Sequence, residues 1–422
     1  MYKRLIYLIP FWVIPYYLWT TIPTRAMSIV WFGTLYLLAY LFLALKGKRI
    51  LFALSRDPII FALIGLSGMS YFWSVAPDIT FASTRSLIVQ YVIVGYLATT
   101  YSLRQIIGFL SKIFCATGVL SLLYVLFLPH IAVRRGGLGG TAWQGIFPHQ
   151  SVLAATMALA LISVVSVLIM EPAKREQKPL LFALGMIGIC AYLLLFCGAK
   201  TAIIGCIASF AILPFFFLKK IKGIGSRNLI FLTLAAIFCI GIPLLYFAKD
   251  IIIVELLGKN PTLSGRSYLW EYMMGQVWAQ PFGYGLDAYW HNSDLVRAVY
   301  ATLRYPYGNS HSNYVDMLLG IGVPGLILVG LFIINLVRKS LILAFTHRRM
   351  EYVWVLQIIV FISIAAYSDS FMGYLRPRTI GWVLLSFSSL SASLELGRLK
   401  RDRHQLYRNP LAKSYRRLSP HS

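Results

Sequence analysis

What most constrains this chain is a rhythm: an apolar run close to 20 residues long, a short polar gap, then another run. The runs lie at roughly 5–22, 27–45, 58–74, 86–101, 105–128, 150–170, 180–197, 201–218, 229–248, 314–337, 352–368 and 379–396. About 20 apolar residues in helical form span the hydrocarbon core of a bilayer. Inside that core every backbone polar group must be bonded internally, so such runs fold as helices. Composition agrees. The chain is 59% hydrophobic and 13% charged, against about 45–50% and 25% in soluble domains, and its mean hydropathy is +0.72. The prediction is an all-α polytopic membrane protein of about 12 transmembrane helices. Helices one to five fall in 1–128, a first long loop in 129–149 and helices six to nine in 150–248. A large loop follows in 249–313, then the last three helices in 314–396 and a basic tail in 397–422.

Charge is confined to the gaps. Lys and Arg total 39 against 14 acids, a formal net charge of +25. A soluble chain this basic suggests nucleic acid, but cations spaced between apolar runs form no continuous patch, and that partner is rejected. The basic loops "KGKR" (46–49), "KREQK" (174–178), "KKIKG" (219–223) and "THRR" (346–349) fall on one side, with Lys3, Arg4 and the tail. Basic loops stay cytoplasmic, so both termini are expected there, with an even number of spans. The tail, with eight Lys and Arg from Arg398 to Arg417, is expected to lie on anionic membrane lipids. The start "MYKRLIYLIPFWVIPYYLW" lacks a small-residue cleavage site and reads as the first span. The five Cys show no metal or disulfide spacing and read as packing residues.

The two long loops face the other, periplasmic side. The one at 249–313 is far longer than a usual connection and rich in Trp and Tyr. Its segment "SGRSYLWEYMMGQVWAQP" carries Leu269, Met273 and Val277 at helical spacing, with Ser264 as N-cap and Pro281 as stop. An amphipathic helix on the membrane face is predicted, then a turn at "PFGYG" and a partly ordered segment reaching His311.

The polar candidates gather at this side. They are Arg134, Arg135 and His149 of the first loop, Lys200 in a tight hairpin, Arg266 at the head of the amphipathic helix, His311, and Arg376 and Arg378 in the last outer loop. Trp270, Tyr289, Trp290 and Asn313 stand near them in sequence. Cations beside lipid suit a lipid-linked phosphate or diphosphate: Arg grips it bidentately, Lys as a point charge. Aromatic rings suit the apolar faces of sugars. Blander readings stand beside these. A boundary Arg contacts headgroups, loop aromatics form an interfacial belt, and Asp316 is a first-turn acid favoured by the helix dipole. The glycines at 320, 322 and 325 pack spans together. The remaining outer acids look scattered, without a carboxylate cluster. No metal constellation is visible, so no metal ligand and no cofactor is expected.

Four local motifs carry a resemblance. His311-Ser312, nine residues, Gly322-Val323-Pro324-Gly325 resembles the closing motif of the O-antigen ligase/polymerase superfamily, membrane glycosyltransferases with undecaprenyl-diphosphate-linked glycan donors. Gly265-Arg266, Trp270 and Pro281-Phe-Gly-Tyr-Gly285 are similar to that superfamily's upstream pattern. "WQGIFPHQSVLAA" (143–155) resembles a segment of exopolysaccharide polymerases of the ExoQ type, with Gln150 and Ser151 replacing the usual Lys-Asn or Pro-Asn. "GAKTAIIG" resembles an outer hairpin whose basic residue is commonly Arg and here is Lys200. The resemblance implies a helical fold of the GT-C type and a metal-independent reaction. In it Arg266 and Lys200 hold the donor diphosphate, and His311 assists the acceptor hydroxyl. It also implies a glycan acceptor, with a chain-length regulator or export complex as a further partner. The expected product is exopolysaccharide or O-antigen, made by a polymerase in the bacterial inner membrane with a periplasmic active site. A ligase moving the finished glycan to lipid A core is the alternative. A transporter is the rival from another class, opposed by span midplanes nearly free of charge.

Overall fold

The computed structural model describes residues 25–135, 141–170, 177–218, 266–368, 375 and 379–408. The apolar runs at 5–22 and 229–248, Ser264, Arg376 and Arg378 lie outside the described residues. The elements are α1 (Arg25–Ser55), α2 (Pro58–Met69), α3 (Pro77–Thr100), α4 (Leu103–Phe127), β1 (Val133–Arg135), β2 (Thr141–Trp143) and α5 (Gln150–Met170). They continue with α6 (Gln177–Phe196), α7 (Lys200–Phe210), α8 (Leu213–Leu218), α9 (Arg266–Ala279), α10 (Ser293–Leu303), α11 (Asn313–Leu341), α12 (Glu351–Ser368) and α13 (Ile380–Arg408). Five described helices are long and apolar enough to cross a membrane, or six if the bent α1–α2 pair is one span. Segments 180–196, 200–210 and 351–367 are apolar but shorter. The protein is an all-α polytopic membrane protein; the one described sheet is the two-stranded β1–β2 ribbon.

Several predicted boundaries shift for local reasons. α1 runs through the "KGKR" loop and bends at Lys46, whose backbone leaves helical geometry. It then meets α2 at a bend of 99°, where Pro58 starts the new helix because its ring needs no donor there. The run at 201–218 breaks at Ala211 and Ile212 into α7 and α8. The first outer loop is a β-ribbon, Arg134 opposite Ala142 and Arg135 opposite Thr141. The segment before His311 is more ordered than expected. α10 occupies it, capped by the Asn292 side chain, which accepts from the backbone of Asp294 and Leu295.

α5 is the hub, with most of its length buried between α4, α6, α7 and α12. Lipid-facing rows lie at the rim, such as Leu37 and Tyr40 of α1 and Leu181 and Phe182 of α6. Burial is nonetheless not purely apolar. Lys339 of α11, 7% exposed, forms an ion pair with the fully buried Asp57 at 2.9 Å. Ser393 accepts from Lys339 at 2.8 Å, and Ser389 donates to the same Asp57 oxygen. Both residues lie just outside the predicted apolar runs, Asp57 before 58–74 and Lys339 after 314–337. Glu395, two residues past Ser393, bonds Arg349 of the "THRR" loop at 3.0 Å. The pair therefore sits toward the basic-loop end of the bundle.

The predicted continuous span at 314–337 is instead a broken helix. α11 loses helical geometry at Gly322 (φ 69°, ψ −168°), a region essentially reserved for glycine. The break falls about a third of the way along the helix from Asn313. Into it fits the loop at 281–285, the "PFGYG" turn. Val323 N–H donates to Pro281 O at 2.8 Å, Tyr284 N–H to Leu319 O at 2.7 Å and Gly285 N–H to Gly320 O at 2.9 Å. Backbone thus meets backbone. A Cβ on Gly283 would lie 2.6 Å from Gly322 N, and one on Gly322 would lie 2.6 Å from Phe282 Cα. The role expected for Gly322, packing of span on span, is corrected: it meets Gly283 of the predicted turn. They admit a loop that replaces the helix's own lost hydrogen bonds, as buried backbone requires.

Candidate functional site

The cap at this end of the bundle is built on this clasp. α9 buries Leu269, Met273 and Val277, the face its spacing predicted, against Tyr284, Tyr289, Val299, Val315 and Leu319. Trp278 at its far end is exposed, and beyond the helix the exposed Phe282 meets Trp73 edge to face at 6.4 Å. The corner between α2 and α3 supports the loop from below: Val75 N–H donates to Tyr284 O at 3.0 Å, and Leu286 N–H to Ser70 Oγ at 3.2 Å. Burial raises the phenol pKa of Tyr289 above its ordinary value, with a smaller contribution from Tyr272.

His311 stands on a strap just before α11. Its own φ is +54°, a left-handed conformation uncommon outside glycine. Its N–H donates to Asn309 Oδ1 at 2.9 Å. Ser310 beside it is tethered in two directions. Its carbonyl accepts from Trp270 Nε1 at 2.8 Å, and its N–H donates to Asp316 Oδ1 at 3.0 Å. Asp316 also accepts from Trp290 Nε1 at 2.9 Å. It is the first-turn acid of α11 and, through these two bonds, also an anchor of the strap.

On the Trp270 side the strap meets α12. The Trp270 and Tyr367 rings meet edge to face at 5.3 Å, and Tyr314 Oη donates to Ser363 O at 3.0 Å. Arg266 is one turn before Trp270 on the same helix face. Lys200 arrives by register. α7 and α12 run antiparallel, with Ser209 Oγ donating to Gln357 O at 3.0 Å and Gly205 against Phe361. Nine residues back along α7 from Ser209 is Lys200, and nine forward from Gln357 is Ala366, next to Tyr367. Lys200, Arg266 and His311, each half-buried, thus belong to one end of the bundle around the Trp270–Tyr367 contact.

The first outer loop joins them. Trp143 of β2 stacks on Phe196 at 4.9 Å, one turn before Lys200. Gly145 (φ 57°) lies against Ser121, and Gln144 donates to Ile131 O at 2.6 Å. These contacts fix the "WQGIFPHQ" segment beside the Lys200 hairpin. Arg134 is exposed on the ribbon, and His149 is exposed with its Nδ1 accepting from Ser151 N–H at 3.2 Å. Arg135 is placed by backbone alone, opposite Thr141.

A cleft of about 80 Å³ opens on the other side of the strap. Asp287, Tyr289, Trp290, His291, Asn313 and Asp316 line it. Asp287 has φ 58° and accepts from Ser83 Oγ at 2.9 Å. His291 Nδ1 is 2.8 Å from Asp287 O. Asn313 and Tyr289 are almost fully buried. Asp287 looks scattered among the loop acids in sequence; folding brings it and Asp316 to one cleft. Their signal was faint, since they are 29 positions apart and each looks like an ordinary loop or first-turn acid.

A comparison with curated proteins finds no match. Residues 185–330 match the model of the Wzy_C family, O-antigen ligase, a stretch that contains Lys200, Arg266, His311 and the Gly322 break. The chain thus carries helices long and apolar enough to cross a membrane and, over residues 185–330, is similar to the O-antigen ligase family.

Proposed function

We propose that this protein polymerises undecaprenyl-diphosphate-linked oligosaccharide repeat units into exopolysaccharide or O-antigen, at the periplasmic face of the inner membrane with both termini cytoplasmic. The acceptor hydroxyl oxygen bonds to the anomeric carbon of the donor as the bond from that carbon to the diphosphate oxygen breaks. The hydroxyl proton passes to His311, whose imidazole is suited to general-base work near neutral pH. Undecaprenyl diphosphate leaves with its charge held by Arg266 and Lys200, fixed cations of the kind that stabilise developing anions. Arg134, Arg135, His149 and Arg376 would extend this basic surface along the glycan, while Trp270, Tyr289, Trp290 and Asn313 frame the strap. The observation that carries the reading is the set of contacts from Trp270 to Ser310 and Tyr367, which draws two cations and the imidazole to one end of the bundle.

The test is the product. A deletion strain accumulating single lipid-linked repeat units supports polymerisation. Purified protein should elongate such units in detergent without an ion gradient, and Arg266→Ala or His311→Ala should abolish elongation while still inserting. The family's description, O-antigen ligase, favours a second reading in which the finished glycan moves to lipid A core. Under that reading the deletion strain accumulates long lipid-linked chains instead.

A further inference from the structure

We infer that the cleft beyond the strap seats the acceptor sugar, and that it selects a ring bearing free hydroxyls and no carboxylate or phosphate. The inference rests on the reaction proposed above and names the chemistry of its second substrate. Ser310 faces two ways, its carbonyl to Trp270 and its N–H to Asp316. The strap therefore divides a basic side, with Arg266 and Lys200, from an acidic side, with Asp287 and Asp316. His311 follows Ser310 on the strap, and its backbone N–H is held by Asn309 Oδ1.

The acidic side fits hydroxyls. Carboxylate oxygens accept from them, and a neutral imidazole or an amide both donates and accepts. His291 and Asn313 supply those groups beside Asp287 and Asp316, and Trp290 offers an indole. The frame is preset. Asp287 is held in its left-handed conformation with its carboxylate on Ser83, and Trp290 is locked to Asp316. The Tyr289 ring lines the cleft, and its buried hydroxyl meets no hydrogen-bond partner among the described residues. Two carboxylates in so small a cleft repel an anionic sugar, while the cations that a diphosphate needs lie across the strap.

Saturation-transfer NMR on the full-length protein in detergent tests this, with a methyl hexoside, a methyl N-acetylhexosaminide and a methyl hexuronide as probes. Asp287→Asn is the variant of choice, because Asn tolerates the left-handed conformation and keeps the oxygen that accepts from Ser83. The neutral glycosides should saturate, with the uronide at least about ten-fold weaker, a like-charge penalty on the scale of a close pair. Asp287→Asn should narrow that ratio and leave undecaprenyl diphosphate binding unchanged. Equal or tighter uronide binding, no glycoside binding at all, or an unaltered ratio in Asp287→Asn overturns the inference. The proposed reaction is judged separately: it fails if Arg266→Ala and Lys200→Ala leave undecaprenyl diphosphate binding intact, whatever the cleft does.

Discussion

Gly322→Ala is the sharpest probe of the clasp between α11 and the 281–285 loop. At φ 69° and ψ −168° a residue with a Cβ is strained by about 1–3 kcal/mol. The added methyl also meets Pro281 O and lies 2.6 Å from Phe282 Cα. Both are backbone, so no side chain can swing away. The loop must retreat, and the Val323 N–H bond to Pro281 O lengthens or breaks, at about 1–3 kcal/mol for one orphaned buried donor. The sum is roughly 2–6 kcal/mol, concentrated where Tyr284 and Gly285 tie the cap to α11. Gly330→Ala, two turns further along the same helix, is the control. Nothing lies within 4 Å of its Cβ position, and Ala in a helix is favoured over Gly by about 1 kcal/mol. Both variants are purified in detergent and their apparent thermal midpoints compared, and each is assayed for polymer in a deletion strain. Gly322→Ala should melt several degrees lower and make little or no polymer, with Gly330→Ala at or above the parent in both. If the two variants behave alike, the clasp is not what holds the cap.

Breaking the buried ion pair with Lys339→Met or Asp57→Leu alone should cost about 3–5 kcal/mol, and the double replacement much less, because the single change strands a buried charge; thermal midpoints of all three decide. Trp290→Phe removes the indole bond to Asp316, worth about 1.5–3 kcal/mol to a charged acceptor, and should lower polymer yield while α11 stays inserted. Lys200→Arg should retain polymer and Lys200→Ala lose it, if the hairpin supplies charge. Burial raises the Tyr289 phenol pKa, so its stabilising contribution is full below the ordinary value near 10 and is lost as pH climbs through the folded value. The thermal midpoint should fall more steeply with alkaline pH in the parent than in Tyr289→Phe.

The sequence by itself determined what local physics decides. Apolar length against bilayer thickness gave the helices. Spacing gave the face of α9 that buries Leu269, Met273 and Val277. The polar step at His311 marked the start of α11. These features need only neighbours within a few residues. The tertiary structure decided whatever depends on a distant partner. The break at Gly322 is filled by backbone from 281–285, and backbone leaves no side-chain signature in hydropathy. Asp57 and Lys339 are 282 positions apart, so each reads as an ordinary boundary charge until α2 packs on α11. Lys200 gains its place only through the antiparallel register of α7 on α12, and the acidic cleft exists only once the strap sets Asp316 beside Trp290. Hydropathy reports where a segment sits relative to lipid; which polar groups then meet is set by packing between helices, which a linear pattern does not encode.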